Sequence, residues 1–118
     1  YENDGSQSFT DKIIATNVYG AWAVFATDVD GDGDVDLLSA SYQADTVAWY
    51  ENDGSQSFTE HIITDSAAGA RSVFAIDVDG DGDVDALSAS YTDDTVAWYE
   101  NDGSQAFTER IITTLADG

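Results

Sequence analysis

Hydrophobic and polar residues alternate in short segments along this chain, and no stretch keeps the period of an amphipathic helix. The second half of the chain shows the pattern clearly, because β-branched and aromatic residues cluster between turn signals at 92–94 and 101–104. These clusters predict four short antiparallel strands joined by tight turns. The predicted strands are 72–76, 86–91, 95–99 and 107–113.

The same pattern repeats along the chain with a fixed period. The segment Y-E-N-D-G-S-Q begins at Tyr1, Tyr50 and Tyr99, which gives a period of 49 residues, and residues 1–49 match 50–98 at 36 of 49 positions. Four strands in a unit of about 40–50 residues are typical of a β-propeller blade. The sequence therefore predicts an all-β fold of four-stranded antiparallel β-propeller blades built from tandem repeats.

The turn positions divide the chain into units. We predict full blades at 20–68 and 69–118, and we assign 1–19 to the last strands of a preceding blade. Because propellers use about four to eight blades, two blades cannot close a ring, so the predicted ring is incomplete in one chain. The sequence contains no Met, which we interpret as a processed chain or a part of a longer one.

Charge and composition exclude several classes of function. The 118 residues include 24 Asp or Glu and 3 Lys or Arg, for a net charge of −21, which disfavours nucleic acid and anionic membrane surfaces as partners. No apolar run approaches the roughly 18 residues of a membrane-spanning helix, so we predict no membrane insertion. The absence of Cys excludes disulfides and Cys-based zinc sites.

Much of the acidity lies in two identical segments, D-V-D-G-D-G-D-V-D at 28–36 and 77–85. Five carboxylates within nine residues repel one another unless a cation lies among them. A single acidic turn is usually just solvated, but strict alternation that occurs twice in the same register favours a metal site. Oxygen-only ligands suit Ca²⁺, whereas Mg²⁺ retains its waters and Zn²⁺ prefers His or Cys. We predict two Ca²⁺ per chain, one for each full repeat, at Asp28, Asp30, Asp32, Asp34, Asp36, Asp77, Asp79, Asp81, Asp83 and Asp85.

Two other calcium motifs do not fit. An EF-hand needs an acidic residue at the twelfth loop position, where this chain has Ser39 and Ser88, and no helix is predicted beside the loop. The calcium β-roll needs G-G-x-G-x-D, which is absent.

The loop between two β segments, together with A-W-Y-E-N-D-G, resembles the FG-GAP/VCBS repeats of secreted bacterial proteins, a loop type also found in the propeller of integrin α subunits. In that family, loop positions one, three, five and nine supply side-chain oxygens and position seven a backbone carbonyl. The resemblance implies backbone ligation by Asp34 and Asp83. It implies side-chain ligation by Asp28, Asp30, Asp32, Asp36, Asp77, Asp79, Asp81 and Asp85. The F-G and G-A-P segments of the family are V-F-A and S-A-S here, which favours the VCBS-like branch and does not support integrin-like ligand binding.

No arrangement of residues predicts catalysis. His61 aligns with Lys12 and Arg110, so a basic residue on a strand surface explains all three positions better than a general base. Glu51 and Glu100 occupy repeated turn contexts, and no nucleophile, base and orienting group occur together. We therefore predict that the chain is not an enzyme.

The aromatic residues divide into recurring and variable positions. Trp49 and Trp98 recur, which indicates packing between blades, whereas Trp22 and Tyr19 are replaced in the next repeat. Drift in an exposed loop explains this variation, but a ligand site also uses variable positions, and aromatic faces stack well on sugars. Tyr19 and Trp22 are therefore the candidate ligand-binding residues.

These observations give one main functional hypothesis, a non-enzymatic, calcium-stabilised extracellular repeat module that acts as a scaffold, adhesion or assembly unit. Extracellular calcium is millimolar, which suits such sites. The alternatives are a carbohydrate-binding, lectin-like propeller and a subunit of an extracellular repeat fibre. The expected partners are further copies of the repeat, in a longer chain, a homo-oligomeric ring or a filament, with glycans added under the lectin hypothesis.

Overall fold

The computed structural model describes residues 1–116, in which strands alternate with turns and short irregular segments and no helix occurs. The prediction of an all-β chain is confirmed there. In chain order the strands are β1 (Glu2–Asn3), β2 (Phe9–Thr10), β3 (Ala21–Thr27), β4 (Asp36–Ser41), β5 (Thr46–Asn52), β6 (Phe58–Thr64), β7 (Ala70–Ile76), β8 (Asp85–Ser90), β9 (Thr95–Asn101) and β10 (Phe107–Thr113). No helix in this part of the chain is long and apolar enough to cross a membrane.

The strands form two four-stranded antiparallel sheets with the same topology. The first sheet has the order β3-β4-β5-β6 and the second the order β7-β8-β9-β10, so each strand pairs with its neighbours in sequence. The first sheet lies within 20–68 and the second within 69–116. Four antiparallel strands in each unit are as predicted, while their assignment as β-propeller blades, with a ring that is incomplete in one chain, stays a prediction.

The strand boundaries differ slightly from those expected. The fourth strand of the second unit is β10 as predicted, but β7 begins two residues earlier than expected, at Ala70. Tyr91 lies in the turn rather than in β8, because its backbone N–H bonds to the carbonyl of Gly69 outside the ladder. The pairing register shifts between Ala70 and Ser72, and the resulting bulge contains Arg71.

Each sheet has two faces, which we name by a residue that they carry. The valine face carries Val24 in the first sheet and Val73 in the second, and the leucine face carries Leu38 and Leu87. The leucine face of the first sheet packs against the valine face of the second. This packing forms the main hydrophobic cluster, to which the first sheet gives Leu38, Ala40, Val47 and Trp49 and the second gives Val73, Ala75, Ala86, Ala97 and Tyr99.

The small residues explain how closely the two sheets approach. Ala75, Ala86 and Ala97 lie on the valine face of the second sheet and are almost fully buried. Their small side chains belong to the same cluster as the larger Leu38 and Trp49 of the first sheet, which allows the two sheets to pack closely.

Residues 1–19 contribute little to this core. β1 and β2 form a two-stranded hairpin of two residues each, and no residue in 1–19 is buried. Ile13 and Ile14 align with Ile62 and Ile63 of β6 but do not form a strand. The physical reason is that β6 pairs along its length with β5, whereas β2 has only the two residues of β1 as a partner. The segment predicted as the last strands of a preceding blade is therefore a short hairpin followed by irregular chain.

Candidate metal centre

The two acidic loops occupy equivalent places in the two sheets. Residues 28–36 connect β3 to β4, and residues 77–85 connect β7 to β8. In the first loop, carboxylate oxygens of Asp28, Asp30 and Asp36 all lie within 4.8 Å of one another. Asp77, Asp79 and Asp85 converge within the same distance in the second loop. Three converging carboxylates per loop form a group that could bind a metal ion.

Glycine residues allow the first loop to turn back on Asp28. Gly31 and Gly33 have φ angles of +78° and +97°, a region that L side chains rarely adopt. The backbone N–H groups of Gly31 and Gly33 donate to the two carboxylate oxygens of Asp28, at 2.8 Å and 3.0 Å. The loop backbone therefore fixes the orientation of the first predicted ligand.

Asp36 connects the loop to the rest of the sheet. It is fully buried, and its two oxygens accept hydrogen bonds from the backbone N–H groups of Val29 at 2.9 Å and Asn52 at 2.8 Å. The Asn52 side chain in turn donates to the Val35 carbonyl at 3.0 Å. Any ion that binds Asp36 is thereby connected to β5 through Asn52.

The second loop repeats this arrangement. Asp85 is buried and accepts hydrogen bonds from Val78 at 2.9 Å and Asn101 at 2.8 Å, and the Asn101 side chain donates to Val84 at 3.1 Å. The pattern of acidic residues alone does not identify Asn101 or its counterpart Asn52 as part of this site. The available signal is their recurrence in the Y-E-N-D segment, at a constant distance from the loop.

Two of the five predicted acids in the first loop do not join the converging group. The Asp32 carboxylate accepts the backbone N–H of Asp34 at 2.8 Å. The Asp34 carboxylate lies against the hairpin turn at Gly54, so close that a Cβ atom on Gly54 would come within 2.5 Å of it. The Asp34 side chain is therefore turned toward this hairpin turn. The roles of Asp32 and Asp34, and of Asp81 and Asp83, as metal ligands stay predictions.

Loss of hydration and nearby negative charges disfavour the ionised form of two loop carboxylates when no cation is bound. Loss of hydration raises the pKa of Asp30, and the neighbouring charges of Asp36, Asp32 and Asp28 raise it further, although the backbone N–H of Asp32 opposes them. The pKa of Asp79 is also raised, for the same first reason. A bound cation would relieve this repulsion. The donor atoms are all oxygens, which fits a hard divalent ion rather than zinc.

The remaining candidate residues lie away from the acidic loops. The three aligned basic residues each pair with an aligned glutamate, as shown by Lys12–Glu2 at 3.2 Å, His61–Glu51 at 2.8 Å and Arg110–Glu100 at 2.6 Å. The His61 ring also stacks on Trp49 with centroids 4.5 Å apart. These contacts place His61 on the sheet surface beside a glutamate, at a position where the other repeats also pair a basic residue with glutamate.

Tyr19 and Trp22 are both exposed. The Trp22 ring lies 5.7 Å from the Tyr42 ring and 4.9 Å from the guanidinium carbon of Arg71. Trp22 therefore contacts the second sheet, and its predicted ligand role, like that of Tyr19, stays a prediction.

Comparison with known proteins agrees with the repeat structure. FG-GAP-like repeats match residues 1–39, 28–88 and 77–118, so the matches together cover the whole chain. No curated protein and no solved structure matches it. Repeats of this family are typical of extracellular proteins and are usually structural or adhesive rather than enzymatic. The chain belongs to the FG-GAP-like repeat family.

Proposed function

We propose that the chain is a calcium-stabilised, non-enzymatic repeat module of an extracellular protein, which acts as a scaffold, adhesion or assembly unit. The observation that carries this proposal is the pair of converging carboxylate groups, each joined to a neighbouring strand through a buried aspartate. Such a site couples ion binding to the fold itself.

The mechanism follows from the geometry of the first loop. Asp28 and Asp30 lie on the loop, whereas Asp36 begins β4 and is bonded to β5. An ion held by all three connects the loop to two strands and removes the repulsion among their charges. Because the unfolded chain does not hold these carboxylates together, the free energy of ion binding becomes free energy of folding.

Calcium is the ion that fits this arrangement best. Ca²⁺ accepts six to eight oxygens in flexible geometry, and the loop offers three converging carboxylates, to which the family resemblance adds the backbone carbonyl of Asp34. Mg²⁺ requires near-octahedral geometry and usually keeps several waters. We therefore expect Ca²⁺ to stabilise the fold more than Mg²⁺ at equal concentration.

Thermal and denaturant unfolding in Ca²⁺, in Mg²⁺ and in chelator tests this proposal. At a concentration of about 100 times the dissociation constant, one site should contribute about 2.7 kcal/mol to the free energy of unfolding. The double variant Asp30→Asn/Asp79→Asn should lose most of the calcium effect. The control Asp53→Asn/Asp102→Asn removes the same charge from exposed turns and should keep it. An unchanged unfolding midpoint on chelation would contradict the proposal.

A carbohydrate ligand is a second candidate, because Tyr19 and Trp22 present exposed aromatic surface on the same part of the chain. Aromatic faces stack on apolar sugar surfaces. Binding to a glycan array that is lost in Trp22→Ala and Tyr19→Ala, but kept in Tyr1→Ala, would support this function. No binding across a broad array would exclude it.

A further inference from the structure

The valine face of the first sheet is open along β3, whereas the same face of the second sheet is covered along β7. On β4 and β5 this face of the first sheet is covered, since Ser39 and Tyr50 are buried where residues 12–18 lie over them. Val24 is 69% exposed, whereas its repeat counterpart Val73 is 6% exposed. Ala26 is likewise exposed while Ala75 is buried. The difference arises because the first sheet covers the valine face of the second, and no other four-stranded sheet in residues 1–116 covers that of the first.

The leucine face shows the opposite asymmetry. Four residues of this face are buried in the first sheet but only half-buried at the matching positions of the second. The buried residues are Leu38, Ala40, Val47 and Trp49, and their half-buried counterparts are Leu87, Ala89, Val96 and Trp98. Ile112 is 58% exposed, although its counterpart Ile63 packs against the core.

We infer that these two free faces bind each other between copies of this chain. The leucine face of the second sheet in one copy packs on the valine face of the first sheet in the next copy. This inference deepens the assembly role proposed above. It reproduces between chains the contact that already joins the two sheets within one chain, except that Leu37 of the receiving face stands where the second sheet has Ala86.

The residues of the two free faces support this pairing. The four leucine-face residues named above are identical in type in both sheets. The two central strands of each sheet place six residues on the valine face. Five of these six have the same type in both sheets, and the exception is Leu37 in place of Ala86. The two free faces lie on opposite sides of the molecule and differ from each other. The association is therefore head-to-tail, which produces rings or filaments rather than isologous dimers.

A groove of about 510 Å³ marks the receiving face. It lies between the segment 12–18 and the first sheet, with Trp22, Val24, Leu37 and Tyr50 in its lining. Residues 11–18 align with 109–116, so an incoming copy brings its own outer strand to the place that 11–18 take up. Moving this segment aside uncovers Ser39 and Tyr50, which are buried beneath it, and the incoming strand covers them again. We therefore expect docking to displace it.

The two repeats carry different residues, Trp22 and Arg71, at one position of this interface. The guanidinium carbon of Arg71 lies 3.7 Å from the Tyr91 ring centroid in its own repeat, and 4.9 Å and 5.2 Å from those of Trp22 and Tyr42 in the other. Trp22 occupies the repeat position of Arg71. In a head-to-tail contact, Trp22 of one copy therefore meets Arg71 and Tyr91 of the next. Every interface then contains one cation and several aromatic rings, and no two arginines meet.

Sedimentation velocity and native mass spectrometry in saturating Ca²⁺ test the interface on the full chain. The wild type should associate with increasing concentration. Val24→Asp, on the receiving face, and Ile112→Asp, on the docking face, should each weaken association by about tenfold or more, because a charge is desolvated in the contact. The control is Ile111→Asp, since Ile111 is 50% exposed even though its own face is already packed. This variant should associate like the wild type.

Mixing the Val24→Asp and Ile112→Asp variants tests the head-to-tail direction. Val24→Asp keeps an intact docking face and Ile112→Asp an intact receiving face, so the mixture should form dimers that do not extend. A wild type that is monomeric at every concentration, a mixture that stays monomeric, or an equal effect of Ile111→Asp would overturn the inference. Each sample is also melted with and without chelator. A monomer whose unfolding midpoint still rises with calcium would refute the interface and leave the calcium proposal standing.

Discussion

Asp36 and Asp85 differ from the other loop acids in their burial and in their hydrogen bonds to the backbone. Each begins the second strand of its sheet, is buried, and accepts two backbone hydrogen bonds from different segments. Asp32, in contrast, is exposed and accepts one bond within the loop. The loop acids are therefore equivalent in sequence pattern but not in their contribution to folding.

This difference predicts separate effects of two substitutions in chelator, where no metal contributes. Asp36→Ala leaves the N–H groups of Val29 and Asn52 without their acceptor and should lower the free energy of unfolding by about 2–4 kcal/mol. Asp32→Ala should change it by less than about 0.5 kcal/mol, as is usual for exposed sites. Urea denaturation measures both values, and equal destabilisation by the two would contradict this division of roles.

The recurring N-D-G-S turns also contain an aspartate with a specific environment. The Ser55 hydroxyl donates to the Asp53 carboxylate at 2.6 Å, and this bond, with those from backbone N–H groups, lowers the pKa of Asp53 from its ordinary value of 3.8. Because the charged form is favoured in the folded state, the stabilisation is present above that value. It is lost as pH falls through the lowered pKa.

We predict that Ser55→Ala raises the pKa of Asp53 toward 3.8, since the largest cause of the shift is removed. Ser57→Ala is the matched control, because Ser57 contributes only its backbone N–H to the same carboxylate. An NMR titration of the Asp53 carboxyl carbon measures both variants. A pKa that does not change in Ser55→Ala would contradict the assignment.

At the scale of elements, the turns and loops determine how the strands are placed. Within the sheets, each turn joins neighbouring strands, so a four-stranded meander needs only local connections. The connection between the sheets is held by Asp45, whose carbonyl accepts the Ala67 N–H at 2.9 Å and whose carboxylate accepts the Gly69 N–H at 2.7 Å. The β4–β5 turn of the first sheet thus positions the start of β7.

The acidic loop itself depends on backbone conformations that only glycine adopts easily. Gly33 has a φ of +97°, and no atom lies near the position of an added Cβ. Gly33→Ala should therefore destabilise the fold by about 1–3 kcal/mol through backbone strain alone, and calcium affinity should fall with it. Gly33→Asn should cost less, because Asn tolerates positive φ better. Calorimetric unfolding with calcium titration measures both, and a neutral Gly33→Ala would show that the loop adopts another conformation.

At the scale of the whole molecule, two sheets of one design leave different faces free at the two ends. A stack of this kind buries its hydrophobic surface only where a neighbour is present, which is the behaviour of repeat proteins. The first and last units of such a stack carry apolar surface that a further unit can cover. This is the physical basis of the proposed association.

Removal of residues 1–19 offers a test at this scale. None of these residues belongs to the hydrophobic cluster, but residues 12–18 lie over Tyr50, which is buried. The deletion should therefore lower the free energy of unfolding by about 1–3 kcal/mol, because this side chain becomes exposed. The deletion also removes the segment that competes with an incoming copy, so association should become stronger than in the full chain. Sedimentation velocity on both forms measures this effect, and weaker association after deletion would show that 1–19 forms part of the contact.

The sequence by itself determined the local features of this protein. The period of 49 residues, the all-β class, the four strands of each unit and the two acidic loops all follow from residue order, because turns and strand pairing between neighbours are short-range. The grouping of Asp28, Asp30 and Asp36 was also predictable, since all three lie in one nine-residue loop.

Only the tertiary structure decided the features that depend on distant residues. The contribution of Asn52 to the loop became visible once β5 lay beside β4, and the contact of Arg71 with Trp22 required two sheets to pack. The same holds for Val24 and Val73, which both begin a V-F-A segment, yet one is exposed and the other buried. Local sequence fixes which side chains share a face, but burial depends on what lies against that face.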